Sequence, residues 1–370
     1  MNSFSEVTNR GLGDNLLGSI KGVFFGLVLL VLAFPVLWWN EGRTDMSTVA
    51  KTAVVVKPDG SSSPAAGKLV AVTDKLQTAA QLGDAGYLKA GPYVSLHRTS
   101  EMFAWVEKVT TKTEKKLGGG TRETKTYDYD KKWTHDPESG ADFKVSLGHT
   151  NPTLEITSEH WSAPSASIGA YTVDPSEVEL PSSRDLELTP ERVENPKRVI
   201  GSYLYLGKAD AKAPKLGDVR LSYEAVEANR LVTAYGQLSG KELQPYMYKG
   251  EDKLFRIVDG THEQAIASLH AEHTMISWAL RLLGFFFMWI GLSMLLGPVN
   301  AVLDIVPFVG SAGRFMTGLA LFPIALALTI ITSVCSMVAH SPIVLGLVIA
   351  VALVGLILRY QHAKAAKVAR

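Results

Sequence analysis

The chain has 370 residues, 46% of them apolar, with 37 basic and 36 acidic side chains and a formal net charge of +1. A charged fraction of 20% beside that apolar content excludes a disordered chain, and near-neutrality excludes the clustered Lys/Arg with which nucleic-acid binders displace counterions from phosphates. The single cysteine, Cys335, excludes an internal disulfide and a Cys-based zinc site.

That average conceals a partition. Residues 40–273 carry 29 Lys+Arg against 33 Asp+Glu, whereas the remaining 136 residues carry only 8 and 3. In chain order, a short tail (1–19) leads into Val23–Trp39, an uncharged run of 17 residues between Lys21 and Glu41. At helical rise it covers about 25 Å, close to a hydrocarbon core once its flanks snorkel, so a first transmembrane helix is predicted over 20–39. Pro35, Trp38, Trp39 and Asn40 stand where a signal peptide would have small residues, and the tryptophans suit an interfacial belt; the anchor reads as uncleaved.

Within 40–273 the signal is mostly strand. Lys51–Val56, Lys68–Val72, Met102–Thr110, Val199–Leu206, Val219–Glu224, Leu231–Gly236 and Leu254–Val258 are rich in β-branched and aromatic residues between turn formers. Gly118-Gly119-Gly120 separates two arms, 102–113 and 121–133, of a long hairpin, with Tyr127, Tyr129 and Trp133 on one face of the second arm. The proline-rich stretch 164–196 reads as loop or short helix. Thr261 with Gln264 fits a capping box opening a helix that climbs into a second crossing at 274–298. A cytoplasmic amphipathic connection (299–314) follows, then 44 residues, Phe315–Leu358, without Asp, Glu, Lys or Arg. These allow crossings at 315–339 and 340–358, turning near Ser341-Pro342. The tail 359–370 is basic. The expectation is a multipass membrane protein with four transmembrane helices and a large β-rich α+β extracytoplasmic domain (40–273) between helices one and two. Basic residues at the chain ends put both termini in the cytoplasm by the positive-inside rule, and 40–273 in the periplasm or lumen.

From Asn40-Glu41-Gly42-Arg43 onward the chain resembles the transmembrane protein 43 family, also called LUMA. The likeness continues through Glu101–Glu107, the Tyr127/Tyr129/Trp133 strand, Gly148-His149-Thr150-Asn151-Pro152 and Gly217-Asp218-Val219-Arg220. It implies a multipass protein with a lumenal or periplasmic domain, and eukaryotic members of this kind self-associate and help organise the nuclear envelope and endoplasmic reticulum. The spare composition fits a bacterial member, which places it in an inner membrane.

Chemistry-bearing patterns are sparse. The glycine triplet lacks the Lys-Ser/Thr of a phosphate loop, and no Gly-x-Ser-x-Gly elbow is present. Glu263, His270 and His273 share a helical face and form a weak zinc candidate, although His-x-x-His is not the zincin spacing. His149, Asn151 and Pro152 suit either an interaction site or a backbone-capping turn, and Asn40–Arg43 suit an interfacial collar. Gly217, Asp218 and Arg220 complete the candidate interaction residues. Hairpin-tip cations Lys112, Lys115, Lys116, Arg122 and Lys125 suit a solvated tip or an anionic surface. Gly18, Gly22 and Gly26 repeat every four residues, a groove for helix packing within the chain or between copies. The predicted function is a non-enzymatic membrane scaffold without cofactor, whose partners are the bilayer, further copies and other membrane or envelope proteins. The alternatives are a channel subunit and a metal-dependent enzyme using Glu263/His270/His273.

Overall fold

The computed structural model describes residues 3–61, 67–207, 211–303 and 307–341. The chain divides into two compact units: residues 1–6, 45–111 and 124–272 form one, and 7–44, 112–123 and 273–370 the other.

The first unit is built from two large sheets. The longer strands belong to an eight-stranded sheet ordered Ser3–Arg10, Thr121–Thr134, Tyr93–Lys115, Val219–Glu227, Tyr203–Tyr205, Val199–Ile200, with Glu159–Ser162 and Arg184–Asp185 as side branches. Along Tyr93–Lys115 burial alternates: Leu96, Arg98, Ser100, Met102 and Ala104 face inward, as period two requires of a sheet with one packed face. Register places Met102 opposite Val219 and Arg98 opposite Tyr223.

The second sheet closes on itself. Leu69–Gln77 pairs with Leu231–Ser239, which pairs with Glu242–Gln244, then Tyr171–Val173, then Ala166–Ile168, and back to Leu69–Gln77. This is a small five-stranded barrel, flanked by Val54–Val56 and Arg256–Asp259. Val70, Val72, Leu76, Ile168, Val232 and Ala234 pack in one cluster with it. Odd-numbered neighbours Leu69 and Ala71 pack instead with Tyr235, Ala265 and Leu269, so the first half of this strand, Leu69 to Val72, is buried on both faces and is continuously apolar. Gly236 has no room for a side chain, since a Cβ there would lie 2.8 Å from the Gln244 carbonyl oxygen. The barrel corrects one expectation: 166–168 and 171–173, inside the proline-rich stretch read as loop, are barrel strands. Three-residue strands are too short to show periodicity, and the prolines lie outside them, where a missing N–H costs no ladder bond.

The second unit is helical. Helices are α1 (Leu12–Gly42), α2 (Met46–Ala50, in the first unit), α3 (His262–Leu295), α4 (Gly297–Leu303) and α5 (Pro307–His340). The Thr261–Gln264 capping box opens α3, with Thr261 N–H donating to Gln264 Oε1 at 2.9 Å and Gln264 N–H to Thr261 Oγ1 at 3.4 Å. Among the described residues three helices are long and apolar enough to cross a membrane, in Gly13–Ala50, His262–Leu295 and Phe315–His340. Phe24 and Phe315 are each 71% exposed, a cost in water that disappears in lipid. The first helix begins earlier than the expected residue 20, and the described residues of the expected connection at 299–314 are helical. The expected fourth crossing (340–358) and basic tail (359–370) lie almost wholly outside the described residues.

Residues 3–10, read as a tail across the membrane from residues 40–273, form an edge strand beside Thr121–Thr134. Ser5 bonds Thr126 at 3.2 Å and Glu6 pairs with Lys144 at 3.0 Å. In the helical unit Asn15 Nδ2 donates to the Gly119 carbonyl at 2.8 Å, Lys116 to Asn9 Oδ1 at 2.6 Å, and Arg10 pairs with Glu123 at 3.2 Å.

Candidate functional site

The motif residues scattered along the sequence converge on the long hairpin. Asn151 is 7% exposed. Its Oδ1 accepts from the Trp105 N–H at 2.7 Å, and its Nδ2 donates to the Trp105 and Glu138 carbonyls, each at 2.8 Å. The side-chain amide thus imitates a neighbouring strand. His149 stacks on Tyr129 with centroids 4.1 Å apart and meets Trp105 edge-on at 4.8 Å, while its Nδ1 lies 2.9 Å from the Val145 carbonyl. Tyr129 donates to Glu107 at 2.8 Å, and Glu107 also accepts the Lys144 N–H at 2.6 Å. Burial first, then the Glu107 bond, pushes the Tyr129 hydroxyl above the ordinary phenol range.

Pro152 joins this cluster to the next motif. Gly217 has φ +88°, and a Cβ on it would lie 2.9 Å from Pro152 Cγ; only glycine satisfies both the left-handed backbone and the close approach. Asp218 ties the adjoining loop by accepting from Tyr205 at 2.5 Å and the Lys215 N–H at 2.8 Å. Arg220 donates to Glu101 at 2.7 Å and lies over the rings of Tyr203 and Trp133, at 3.9 and 4.6 Å. Guanidinium planarity makes this stacked arrangement possible, and lysine would not reproduce it.

Sequence reasoning missed a second buried centre. Arg98 donates to Asp84 at 2.6 Å, both side chains being 7% exposed. Two further donations reach the Thr157 carbonyl, and Tyr223 donates to Asp84 at 2.7 Å. Desolvation, with the Asp84 bond second, raises the Tyr223 phenol far above its ordinary value. The available signal was Arg98 at an inward-facing strand position, where an unpaired charge is untenable.

In the helical unit, Asn40–Arg43 at the end of α1 are tied to α3 and α5. Glu41 receives both Nε and Nη2 of Arg281 at 2.8 Å, a bidentate pair, and Asn40 donates to the Ser277 carbonyl at 3.2 Å. Arg43 lies 5.5 Å over Trp39, and Gly42 abuts the His340 ring. The glycine stripe divides. A Cβ on Gly26 would lie 2.7 Å from Met294 Cβ and 2.8 Å from the Gly291 carbonyl oxygen, while Gly22 has ordinary clearance and Gly18 meets nothing within 4 Å. The groove at Gly26 is therefore filled by α3 of the same chain. Gly26→Leu is expected to lower detergent-solubilised thermal stability by roughly 1–3 kcal/mol through overpacking, with Gly22→Leu milder; unchanged melting of the double variant would show that α1 packs through another face.

Among the described residues no group of three His, Cys, Asp or Glu side chains is placed to hold a metal. Glu263, His270 and His273 share α3, but His270 Nδ1 lies 2.8 Å from Asp45 Oδ2, an acid from outside that set. Of the hairpin-tip cations, Lys112 pairs with Glu114 at 2.8 Å, and both are exposed.

The family model described as transmembrane protein 43 matches residues 102–342. The chain is 27% identical to the mouse protein named transmembrane protein 43 over 379 aligned residues, covering 96% of this chain and 94% of that one. The human protein of that name is 26% identical over the same shares, and the Drosophila melanogaster homolog is 26% identical, covering 86% and 89%. No solved structure matches.

Proposed function

Because the chain belongs to the transmembrane protein 43 family of multipass membrane proteins, we propose that it is a non-enzymatic scaffold that organises its membrane or envelope through the large β-rich domain. The observation that supports this is how the motif residues are used. Asn151, Tyr129, Asp218 and Arg220 satisfy one another, the backbone and neighbouring rings, which stiffens a surface for docking without leaving these groups free to react with a substrate. Partners are other membrane or envelope proteins and further copies, the latter meeting on lipid-facing surfaces other than the Gly26 groove. Capture of the tagged full-length chain from its own membranes after crosslinking tests the reading: recurrent stoichiometric partners support it. Stoichiometric zinc lost in His270→Ala would favour an enzyme instead, and conductance in planar bilayers a channel subunit.

Sidedness is part of the proposal. The charge bias supports cytoplasmic termini and a periplasmic or lumenal domain, in a bacterial inner membrane or in the endoplasmic reticulum and inner nuclear membrane of a eukaryote. The tail–tip contacts argue the other way, because Asn9 and Lys116 bond directly. In a Cys335→Ser background, the charge bias predicts that single cysteines at Lys116 and Ser183 react alike with an impermeant maleimide in sealed vesicles and that Asn9→Cys reacts oppositely. Uniform labelling of all three would overturn that sidedness in favour of the tail–tip contacts.

A further inference from the structure

The register of the eight-stranded sheet brings together metal-ligating side chains that lie far apart in the chain. Glu159–Ser162 pairs antiparallel with Tyr93–Lys115 so that His160 stands directly opposite His97. On the other flank of that strand His97 stands opposite Glu224, and Glu224 opposite Asp185. Directly opposed residues project from the same face of a sheet, so Asp185, Glu224, His97 and His160 form one line across neighbouring strands. The face is the one turned away from Leu96 and Arg98, which point inward. No lysine or arginine interrupts the line.

We propose that His97 and His160 chelate one divalent transition-metal ion of the zinc class, with water at the remaining positions. The pairing supplies the geometry. Ala163 N–H donates to the Val94 carbonyl at 2.9 Å, and ladder bonds recur at every second residue. His97 and His160 therefore form a non-hydrogen-bonded pair, the kind whose side chains approach most closely. Their ring centroids are 6.1 Å apart. An imidazole on zinc has its centroid roughly 3.2 Å from the ion, so two rings on one ion stand about 5–6 Å apart, within a small side-chain rotation of the observed pair. Neither ring is committed elsewhere in a way that forbids this. Among the described residues no hydrogen bond engages the His97 ring, and His160 Nε2 meets only the exposed Ser162 hydroxyl, at 3.1 Å. His160, Ser95, Ser162 and Ser183 border an open cavity of about 490 Å³, which gives the ion access and its waters room. Glu224 accepts from Ser183 Oγ at 2.7 Å and so stands aside, which leaves two converging ligands rather than three. Paired imidazole nitrogens select zinc-class ions over calcium and magnesium, which take oxygen ligands.

This inference is independent of the scaffold reading and of the Glu263/His270/His273 set. The test uses the full-length Cys335→Ser chain in mild detergent, freed of any affinity tag and titrated with Zn²⁺ alone by calorimetry. That parent is expected to bind about one ion per chain and to melt at a higher temperature with zinc present, since the ion binds the folded pair and not the separated strands. His97→Ala and His160→Ala are each expected to weaken binding at least about tenfold, the lower end of what loss of even an outer partner of a ligand costs. Both variants should melt like the parent without zinc and lose the zinc-dependent rise. His135→Ala and His270→Ala, which alter histidines outside the pair, are expected to bind like the parent. Cu²⁺ used as a spectroscopic probe should show two nitrogen ligands by electron paramagnetic resonance in the parent and one in His160→Ala. No binding by the parent, unchanged binding in both His97→Ala and His160→Ala, or loss confined to His270→Ala overturns the site.

Discussion

Arg98→Met is expected to destabilise the large domain by roughly 3–5 kcal/mol, the range for removing one partner of a buried ion pair. Arg98 and Asp84 are each 7% exposed and 2.6 Å apart, so the substitution leaves a carboxylate in the interior with only the Tyr223 hydroxyl donating to it. It also strips two donors from the Thr157 carbonyl. The companion Arg98→Met/Asp84→Leu is expected to recover most of the loss, because removing both charges abolishes the unpaired one and two apolar side chains suit a site beside Leu88, Leu96 and Leu221. Urea unfolding of the detergent-solubilised chain, followed by tryptophan fluorescence, measures this through Trp161, which Arg98 overlies at 5.3 Å. A single variant with an unshifted midpoint would show that the pair is not formed.

Asn151→Ala should cost about 3 kcal/mol, next in size. Three hydrogen bonds end on this amide, and two of them serve the backbone N–H and C=O of Trp105, in the middle of a strand. Alanine leaves those groups without the partner that stood in for a neighbouring strand, at about 1–3 kcal/mol for each buried group left unsatisfied. Asn151→Asp separates the contributions: it keeps an acceptor for the N–H but sets a carboxylate against two carbonyl oxygens, so it should rescue little. Because His149 meets Trp105 edge-on, the loss should appear as increased mobility and red-shifted emission of that tryptophan. Wild-type stability in both variants would mean that the Gly148–Pro152 turn is held by other contacts.

The long hairpin was legible because its arms, Tyr93–Lys115 and Thr121–Thr134, alternate over enough residues for period two to show. The apolar helices and the Thr261–Gln264 cap were legible for a similar reason, since composition and local spacing carry those signals. The barrel was hidden because three of its five strands have three residues each and closure depends on pairing between distant segments. Arg98 and Asp84 lie on separate strands, and only the fold reveals that an inward arginine meets an inward aspartate. The motif residues were found as a set, but their task was not: nothing local distinguishes an asparagine that binds a ligand from one that completes a strand. The Gly18–Gly26 stripe looked uniform in sequence, whereas the opposing helix makes Gly26 a contact and leaves Gly18 beside a cavity.

Closure of the barrel also sets a timetable for synthesis. Leu69–Gln77 finds its principal partner in Leu231–Ser239, so the first strand leaves the ribosome long before the strand that covers it. During that interval the apolar half of this strand, Leu69 to Val72, buried on both faces when folded, stands exposed, the condition in which a nascent chain is most prone to aggregate. The adjoining Tyr93–Lys115 and Thr121–Thr134 hairpin has no such delay, because its arms pair across a five-residue turn. Biogenesis is therefore expected to fall into an early local step and a late global one. Truncations ending anywhere before Gln244 should leave an open, chaperone-dependent sheet, however much of the hairpin they contain.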